Sequence, residues 1–402
     1  LLDGFTERTL WLSHDGTADT SYTLEIDQQG TGTWTTWKQF GLTAAAPGLW
    51  VDLSPRQVSG AWIRVTSSRD QQKATAQFQY ANADQRGTEV DPMFAGLSSA
   101  DAATSRGAFL LTRGANLRTL SVLPATLTTD QTKVDVAYEL TADLKLIKQA
   151  DPKVTDYVAK NTTVPAGIVT TDAASVIFEE NGQRWRLPRA FPIGDARNAA
   201  QDRLLARNAL RKAREVCTER DMLQAHGTFY ELPALNAKGA IRMRPIATSD
   251  AAVHDYCSYR GLLVLSGVSP EAAKDDRHVI RSDDGQAAVW VGAADDLWKL
   301  GKPRGLGGPW KNTTVQKGAP SDPYLMTGYD QKTLKLTNHG AKPLRVSVLL
   351  DVAGDGRTSA YRTFEVPAGA EVTHAFESWL NAYWVRFVAD EDGVLSAQLT
   401  YE

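Results

Sequence analysis

The two ends of the chain carry the same pattern, and this limits what the chain can fold into. Gly4-Phe5-Thr6-Glu7-Arg8-Thr9-Leu10-Trp11-Leu12 is echoed by Gly328-Tyr329-Asp330-Gln331-Lys332-Thr333-Leu334-Lys335-Leu336. Continuing without a gap, Asp27, Gly30, Gly32 and Phe40 fall opposite Asp351, Gly354, Gly356 and Phe364. After a short slip, Ala61-Trp62-Ile63-Arg64-Val65 matches Tyr383-Trp384-Val385-Arg386-Phe387, and Ala76-Gln77-Phe78-Gln79-Tyr80 matches Ala397-Gln398-Leu399-Thr400-Tyr401. The lead-in recurs more loosely, as Asp91-Pro92-Met93-Phe94 and Asp322-Pro323-Tyr324-Leu325. Such self-similarity marks a supersecondary unit used more than once.

The repeated unit has the grammar of strands. Tyr22–Ile26, Trp62–Thr66 and Ala74–Phe78 alternate apolar and polar residues, which buries one face of a strand and wets the other. Gly30, Gly32, Gly354 and Gly356 read as turns, and Asp27 and Asp351 as strand-end carboxylates that accept backbone N–H bonds. Between the repeats, further strands are predicted at Phe109–Leu111, Leu120–Leu123, Val134–Leu140, Thr228–Leu232, Gly261–Leu265 and Ala287–Val291. Ser175–Phe178 and Arg184–Leu187 flank Asn181-Gly182, a hairpin signal.

Short strands at short, regular spacing predict an all-β chain. At roughly 40–50 residues per four-stranded blade, residues 1–402 have room for a single β-propeller of about seven or eight blades, closed by pairing the first and last strands. The alternative is two β-sandwich modules, at 1–85 and 325–402, flanking a central β domain. One helix is expected over 195–216. There Asp195 can cap, and Leu205, Ala209, Ala213 and Val216 form a stripe opposite Arg203, Arg207, Arg211 and Arg214.

Composition excludes several classes. With 44 Lys+Arg against 47 Asp+Glu, the chain lacks the basic excess of a nucleic-acid binder. No run of about 18 apolar residues predicts a membrane span. Cys217 and Cys257 are compatible with one disulfide or two buried thiols, and no Cys or His spacing suggests zinc. No cofactor is expected, although Asp-rich turns leave calcium open. The chain opens Leu1-Leu2-Asp3, as a processed or truncated product would. The 11 tryptophans and 12 tyrosines supply core rings, and exposed ones would offer sugars a stacking surface.

Residues 219–260 are the densest polar and aromatic stretch. A glycosidase needs two carboxyl groups flanking the scissile bond, and Glu219, Asp221, Glu231 and Asp255 are the supply. A lyase acting on uronic-acid glycans instead needs a cation against the carboxylate and a His or Tyr to move the α-proton. Arg242, Arg244, Arg260, His226, His254 and Tyr230 could serve, with Tyr256 and Tyr259 nearby in sequence. Each has a plainer reading: Glu219-Arg220 as a surface ion pair, His226 before Gly227 as a turn residue, and Tyr230 and Glu231 on opposite faces of one strand. Gly301–Trp310 reads as a stiff loop that could present Trp298 or Trp310 to a sugar ring. Ser282-Asp283-Asp284-Gly285 approaches a sialidase Asp-box, but its glycine comes one place early, so it reads as a plain turn. WD40, kelch, P-loop, Gly-x-Ser-x-Gly and His-Glu-x-x-His signatures are absent.

Asp295–Trp310, Ser321–Asp330, Glu219–Asp221 and His226–Pro233 together resemble an uncharacterised family of large bacterial β-propeller-like proteins. That family is similar to secreted propeller proteins of polysaccharide-degrading bacteria. The resemblance covers roughly residues 215–402, and the N-terminal repeat less well. It carries over no catalytic residues. It implies a secreted or periplasmic carbohydrate-active protein with an oligo- or polysaccharide partner, most simply a glycoside hydrolase. The polysaccharide lyase and a non-catalytic carbohydrate-binding propeller are the alternatives.

Overall fold

The computed structural model describes residues 1–44, 48–71, 73–100, 106–127, 132–162, 167–192, 194–206, 214–217 and 220–402. The chain is mostly β. The alternating segment at its start forms β1 (Glu7–Ser13), β2 (Thr20–Asp27), β3 (Trp34–Leu42), β4 (Gly48–Asp52), β5 (Trp62–Ser67) and β6 (Thr75–Ala81). These make two antiparallel sheets, β4-β1-β6 and β3-β2-β5. Leu10, Leu12 and Val51 of the first sheet meet Tyr22, Leu24 and Ile26 of the second in one core, so the segment is a small β-sandwich.

Three antiparallel sheets and two helices follow. The first sheet holds β7 (Arg106–Arg113), β8 (Thr119–Leu127), β9 (Thr132–Val134), β10 (Tyr138–Leu140) and β11 (Leu146–Lys148). Helix α1 (Pro152–Asn161) was not expected from the sequence. Its start is nonetheless signalled: the Asp151 side chain accepts the Lys153 N–H, and Pro152 fills the first turn. After β12 (Val169–Thr171), β13 (Val176–Glu180) and β14 (Gln183–Leu187) comes α2 (Ala196–Ala206). This second helix is shorter than the predicted 195–216. Residues 207–213 lie outside the description, and from Arg214 the backbone is already strand.

The second central sheet is β15 (Arg214–Cys217), β16 (Arg220–Ala225), β17 (Thr228–Leu232) and β18 (Arg244–Thr248). The third is β19 (Tyr256–Tyr259), β20 (Leu262–Leu265), β21 (Val279–Arg281) and β22 (Ala288–Gly292). The three sheets stack. Met222, Phe229 and Ile246 meet Tyr256, Leu265 and Trp290 in one core. Cys257, Val264 and Val289 meet Leu110, Val122 and Tyr138 in the next.

The last part contains β23 (Gly305–Val315), β24 (Tyr324–Leu325), β25 (Lys332–Asn338), β26 (Leu344–Asp351), β27 (Ser359–Val366), β28 (Glu371–Ala375), β29 (Trp384–Ala389) and β30 (Gly393–Tyr401). Their sheets run β23-β30-β25-β28 and β12-β13-β14-β24-β29-β26-β27. Within them, β28-β25-β30 and β27-β26-β29 reproduce, strand for strand, the orders β4-β1-β6 and β3-β2-β5 of the first module. Asp27 accepts the N–H groups of Gly30 (2.9 Å) and Gly32 (2.7 Å), and Asp351 accepts that of Gly356 (2.8 Å). Both carboxylates therefore organise turns.

Ring closure through the terminal strands does not occur. β1 bonds to β4 and β6, and β30 to β23 and β25; among the described residues no sheet closes on itself. The reason is visible in β1, which is buried on both faces. Leu10 and Leu12 face the module's own core, while Trp11 joins the core of the C-terminal module. Trp50 lies 5.1 Å from Trp11 and 6.3 Å from Trp379, ring centre to ring centre. The two ends of the chain thus meet by face packing. No described helix is long and apolar enough to cross a membrane.

Candidate functional site

The meeting of both modules with the second central sheet leaves a cleft of about 480 Å³. β1 and β6 contribute Glu7, Gln79 and Tyr80, and the chain just after β6 contributes Asn82, Asp84 and Arg86. β17 and β18 contribute Glu231 and Arg244, and the C-terminal module contributes Thr327, Asp330, Lys332, Trp379 and Asn381. Trp298 completes the wall. It sits on a 3-10 turn, Ala294–Leu300, whose Leu297 and Leu300 are buried, so the indole between them is left 46% exposed.

Most charges in the cleft are engaged. Arg86 binds Asp84 through Nη2 (2.6 Å) and Nε (2.9 Å), and its Nη1 donates to the Ile246 carbonyl (2.7 Å). The same guanidinium lies 4.7 Å from the Trp298 ring centre, fixing that ring by a cation–π contact. Arg244 pairs with Glu231 at 2.9 Å, and Lys302 with Asp330 at 3.8 Å. Burial pushes the Asp84 carboxyl up, but its bonds to Arg86 outweigh this and hold it below the ordinary range. Burial pushes Tyr80 up to about 12. Lys332 is 5% exposed, and burial, opposed by the charges of Glu7 and Asp330, brings its ammonium down to about 8.

Of the residues expected from sequence, the cleft collects Glu231, Arg244 and Trp298. Glu219 lies outside the described residues. Asp221 pairs in register with Leu232, and Glu231 with Met222, so the two carboxylates face opposite sides of their sheet and cannot flank one bond. Tyr230 is fully buried in the core.

His226 is fully enclosed in the β16–β17 turn at φ 51°. Its Nε2 lies 3.2 Å from Arg189 Nη1 and 3.5 Å from Asp202 Oδ1, and its Nδ1 lies 3.4 Å from the Ala190 amide nitrogen. It ties α2 and the segment after β14 to the sheet, and burial lowers its pKa despite Asp202. His254 is 2% exposed, and burial brings it down to about 4, so it is neutral near pH 7. It fits between Gly107 and Gly267, at both of which a Cβ would collide with a neighbour.

Asp255 is wholly buried and accepts the Leu110 N–H at 2.7 Å and the Tyr256 N–H at 2.9 Å, joining two stacked sheets. The Tyr256 hydroxyl donates to the Met222 carbonyl at 2.5 Å, joining the next pair. Arg260 occupies the β19–β20 turn and donates to the Tyr259 hydroxyl (3.1 Å). Arg242 donates to the Gly354 carbonyl at 3.4 Å. Trp310 is 6% exposed and packs 6.0 Å from Phe387, because Gly305–Val315 is strand β23 and not the expected loop. Cys257 is buried, and the Cys217 side chain lies outside the description.

Sequence reasoning missed Glu7, Asp84, Arg86, Asp330, Lys332 and Trp379. Glu7, Asp330 and Lys332 stood inside the repeated segments and were counted only as evidence of duplication. A usable signal was the positive charge retained at the repeat position Arg8/Lys332, two places before the leucine that opens the apolar face of each strand.

A second cleft, of about 450 Å³, holds Arg184, Asp322, Asp351 and Arg386 beside Trp185 and Trp384. Its carboxylates are committed: Asp322 accepts Arg186 Nε at 2.9 Å, and Asp351 organises its turn. Among the described residues no group of three or more His, Cys, Asp or Glu could hold a metal ion.

The chain matches no family model and no curated protein. Among solved structures it is similar to an exo-β-1,3-galactanase from Phanerochaete chrysosporium with galactose, at 10% identity, covering 76% of this chain and 100% of that one, TM-score 0.22. It is also similar to a glycoside hydrolase family 32 protein from Bifidobacterium adolescentis, at 9% identity, covering 100% and 98%, TM-score 0.17. A third is a glycoside hydrolase family 43 arabinoxylan arabinofuranohydrolase from Bacillus subtilis in complex with cellotetraose, at 12% identity, covering 97% and 94%, TM-score 0.17. Likenesses at these TM-scores carry no weight for fold or function.

Proposed function

We propose that the protein is carbohydrate-active and takes an oligo- or polysaccharide into the cleft between its two terminal modules. The observation that carries this reading is Trp298, a half-exposed indole held from one side by Arg86 at the wall of a cleft otherwise rich in amides, hydroxyls and paired charges. A sugar ring offers C–H groups to an aromatic face and hydroxyls to such polar neighbours. The stacked central sheets are the part of the propeller expectation retained here, as blade-like units. The protein is proposed to act outside the cytoplasm, as its resemblance to secreted proteins implies.

Hydrolysis is the second reading, and Glu231 favours it as the one expected catalytic carboxylate among the described residues that lines the cleft. The lyase reading loses support, because His226 and His254 are enclosed away from it. The test is calorimetric titration with a panel of neutral and acidic oligosaccharides, combined with an assay for released reducing ends. Trp298→Ala should weaken binding about tenfold, the equivalent of about 1.4 kcal/mol of stacking. Glu231→Gln should abolish any release of reducing ends while binding persists. Binding without release by the unaltered protein would leave the non-catalytic reading; no binding to any glycan would overturn the proposal.

A further inference from the structure

The cation at one repeat position is used differently in the two modules. Arg8 pairs in register with Tyr80, and Lys332 pairs with Tyr401. Both are buried, at 2% and 5% exposure. Arg8 is satisfied within its own module: Nε donates to the Leu53 carbonyl (2.9 Å), Nη1 to Leu2 (2.6 Å) and Nη2 to Val58 (2.7 Å). Lys332 has no such cradle. Among the described residues its ammonium has no hydrogen-bond acceptor, and no carboxylate stands within 4.0 Å. An unpaired ammonium is costly to bury. It lines a cleft in which Asp84 is paired with Arg86, Glu231 with Arg244 and Asp330 with Lys302, and whose remaining charge is the Glu7 carboxylate.

We propose that the cleft is selective for acidic saccharides, and that Lys332 seats the carboxylate of one hexuronate residue. This rests on the saccharide reading of the cleft and names its ligand class. The ligand carboxylate supplies the acceptor that the protein withholds from Lys332, at the position where the first module supplies three carbonyls. Glu7 remains near enough to act on Lys332 electrostatically but does not satisfy its N–H donors. A neutral sugar could offer the ammonium hydroxyl acceptors but no countercharge, while displacing water around it.

The test is calorimetric titration of the full chain with tetragalacturonate, with its fully methyl-esterified form and with hexaglutamate, repeated on Lys332→Met. The substitution conserves volume and removes the charge. The unaltered protein is expected to bind the free acid at least tenfold tighter than the ester. Lys332→Met should erase that preference while still binding the ester and remaining folded by circular dichroism. Equal binding of acid and ester by the unaltered protein, or a preference that survives in Lys332→Met, overturns the acidic selectivity and leaves the saccharide reading standing. If neither saccharide binds, this inference is overturned, and the saccharide reading falls with it only if the wider panel of neutral and acidic oligosaccharides also fails to bind; if hexaglutamate alone binds, the ligand is an acidic peptide and this inference is overturned.

Discussion

Lys332→Met should make the protein more stable, and by an amount that depends on pH. The ammonium is held at about 8, against 10.5 for an ordinary lysine, because burial disfavours its charged form more than Glu7 and Asp330 favour it. At about 1.4 kcal/mol per pH unit, that gap corresponds to about 3 kcal/mol. The sign follows from proton binding. Between pH 8 and 10.5 the unfolded chain holds the Lys332 proton and the folded chain has lost it, so raising the pH through this window favours folding. Below about 8 both forms are protonated, and the folded form bears the whole penalty. Lys332→Met removes it and adds no volume, although it also takes a cation away from Glu7 and Asp330, so about 3 kcal/mol is a ceiling. The assay is urea unfolding followed by tryptophan fluorescence, run from pH 7 to 10.5 on both proteins. Trp379 and Trp11 report on the junction beside the cleft. The variant's midpoint should exceed the unaltered protein's at pH 7, and the two should converge as the pH approaches 10.5. Coincident midpoints at pH 7, or a gap unchanged by pH, would show that Lys332 carries no desolvation penalty and would refute the reasoning.

Other expectations concern the residues that hold the central sheets together. His254 is buried neutral with its pKa brought down to about 4, so the unfolded chain takes up a proton first as the pH falls below 6.5. Stability should drop by about 3 kcal/mol between pH 6.5 and 4, and His254→Gln should flatten that part of the acid-unfolding curve. Asp255→Ala removes the buried carboxylate that accepts the Leu110 and Tyr256 N–H groups and should cost about 2–5 kcal/mol in chemical unfolding, with saccharide affinity in the folded fraction unchanged. A loss below about 1 kcal/mol would mean that the carboxylate does not join the sheets.

The strands were legible because period-two alternation is a local property: Tyr22–Ile26 lies within β2, and Thr228–Leu232 is β17. What each buried face packs against was not. Alternation in β1 marks Leu10 and Leu12 as inward, but nothing local tells that Trp11, on the other face, is buried against residues beyond 300. A ring and a pair of sandwiches therefore look alike at the level of single strands. The site divides in the same way. Glu231, Arg244 and Trp298 could be picked out by residue type, whereas Lys332, Asp84 and Arg86 come from segments joined only by tertiary packing. The polar stretch 219–260 misled because polar atoms also fasten sheet to sheet: Asp255 and Tyr256 bond across cores, and the β16 register turns Asp221 away from Glu231.

The two-sided burial of β1 bears on how the chain is made. Trp11 and Trp50 are synthesised early, while Trp379, which packs beside Trp50, arrives more than 300 residues later. At roughly 5–20 residues per second, the first sandwich can assemble on the ribosome yet waits about 15–65 s with an indole pair facing water. During that interval its outer sheet is an adhesive surface, and nascent chains on one messenger RNA hold many such surfaces close together. Yield on expression should therefore respond to translation speed and to chaperones that shield aromatic patches.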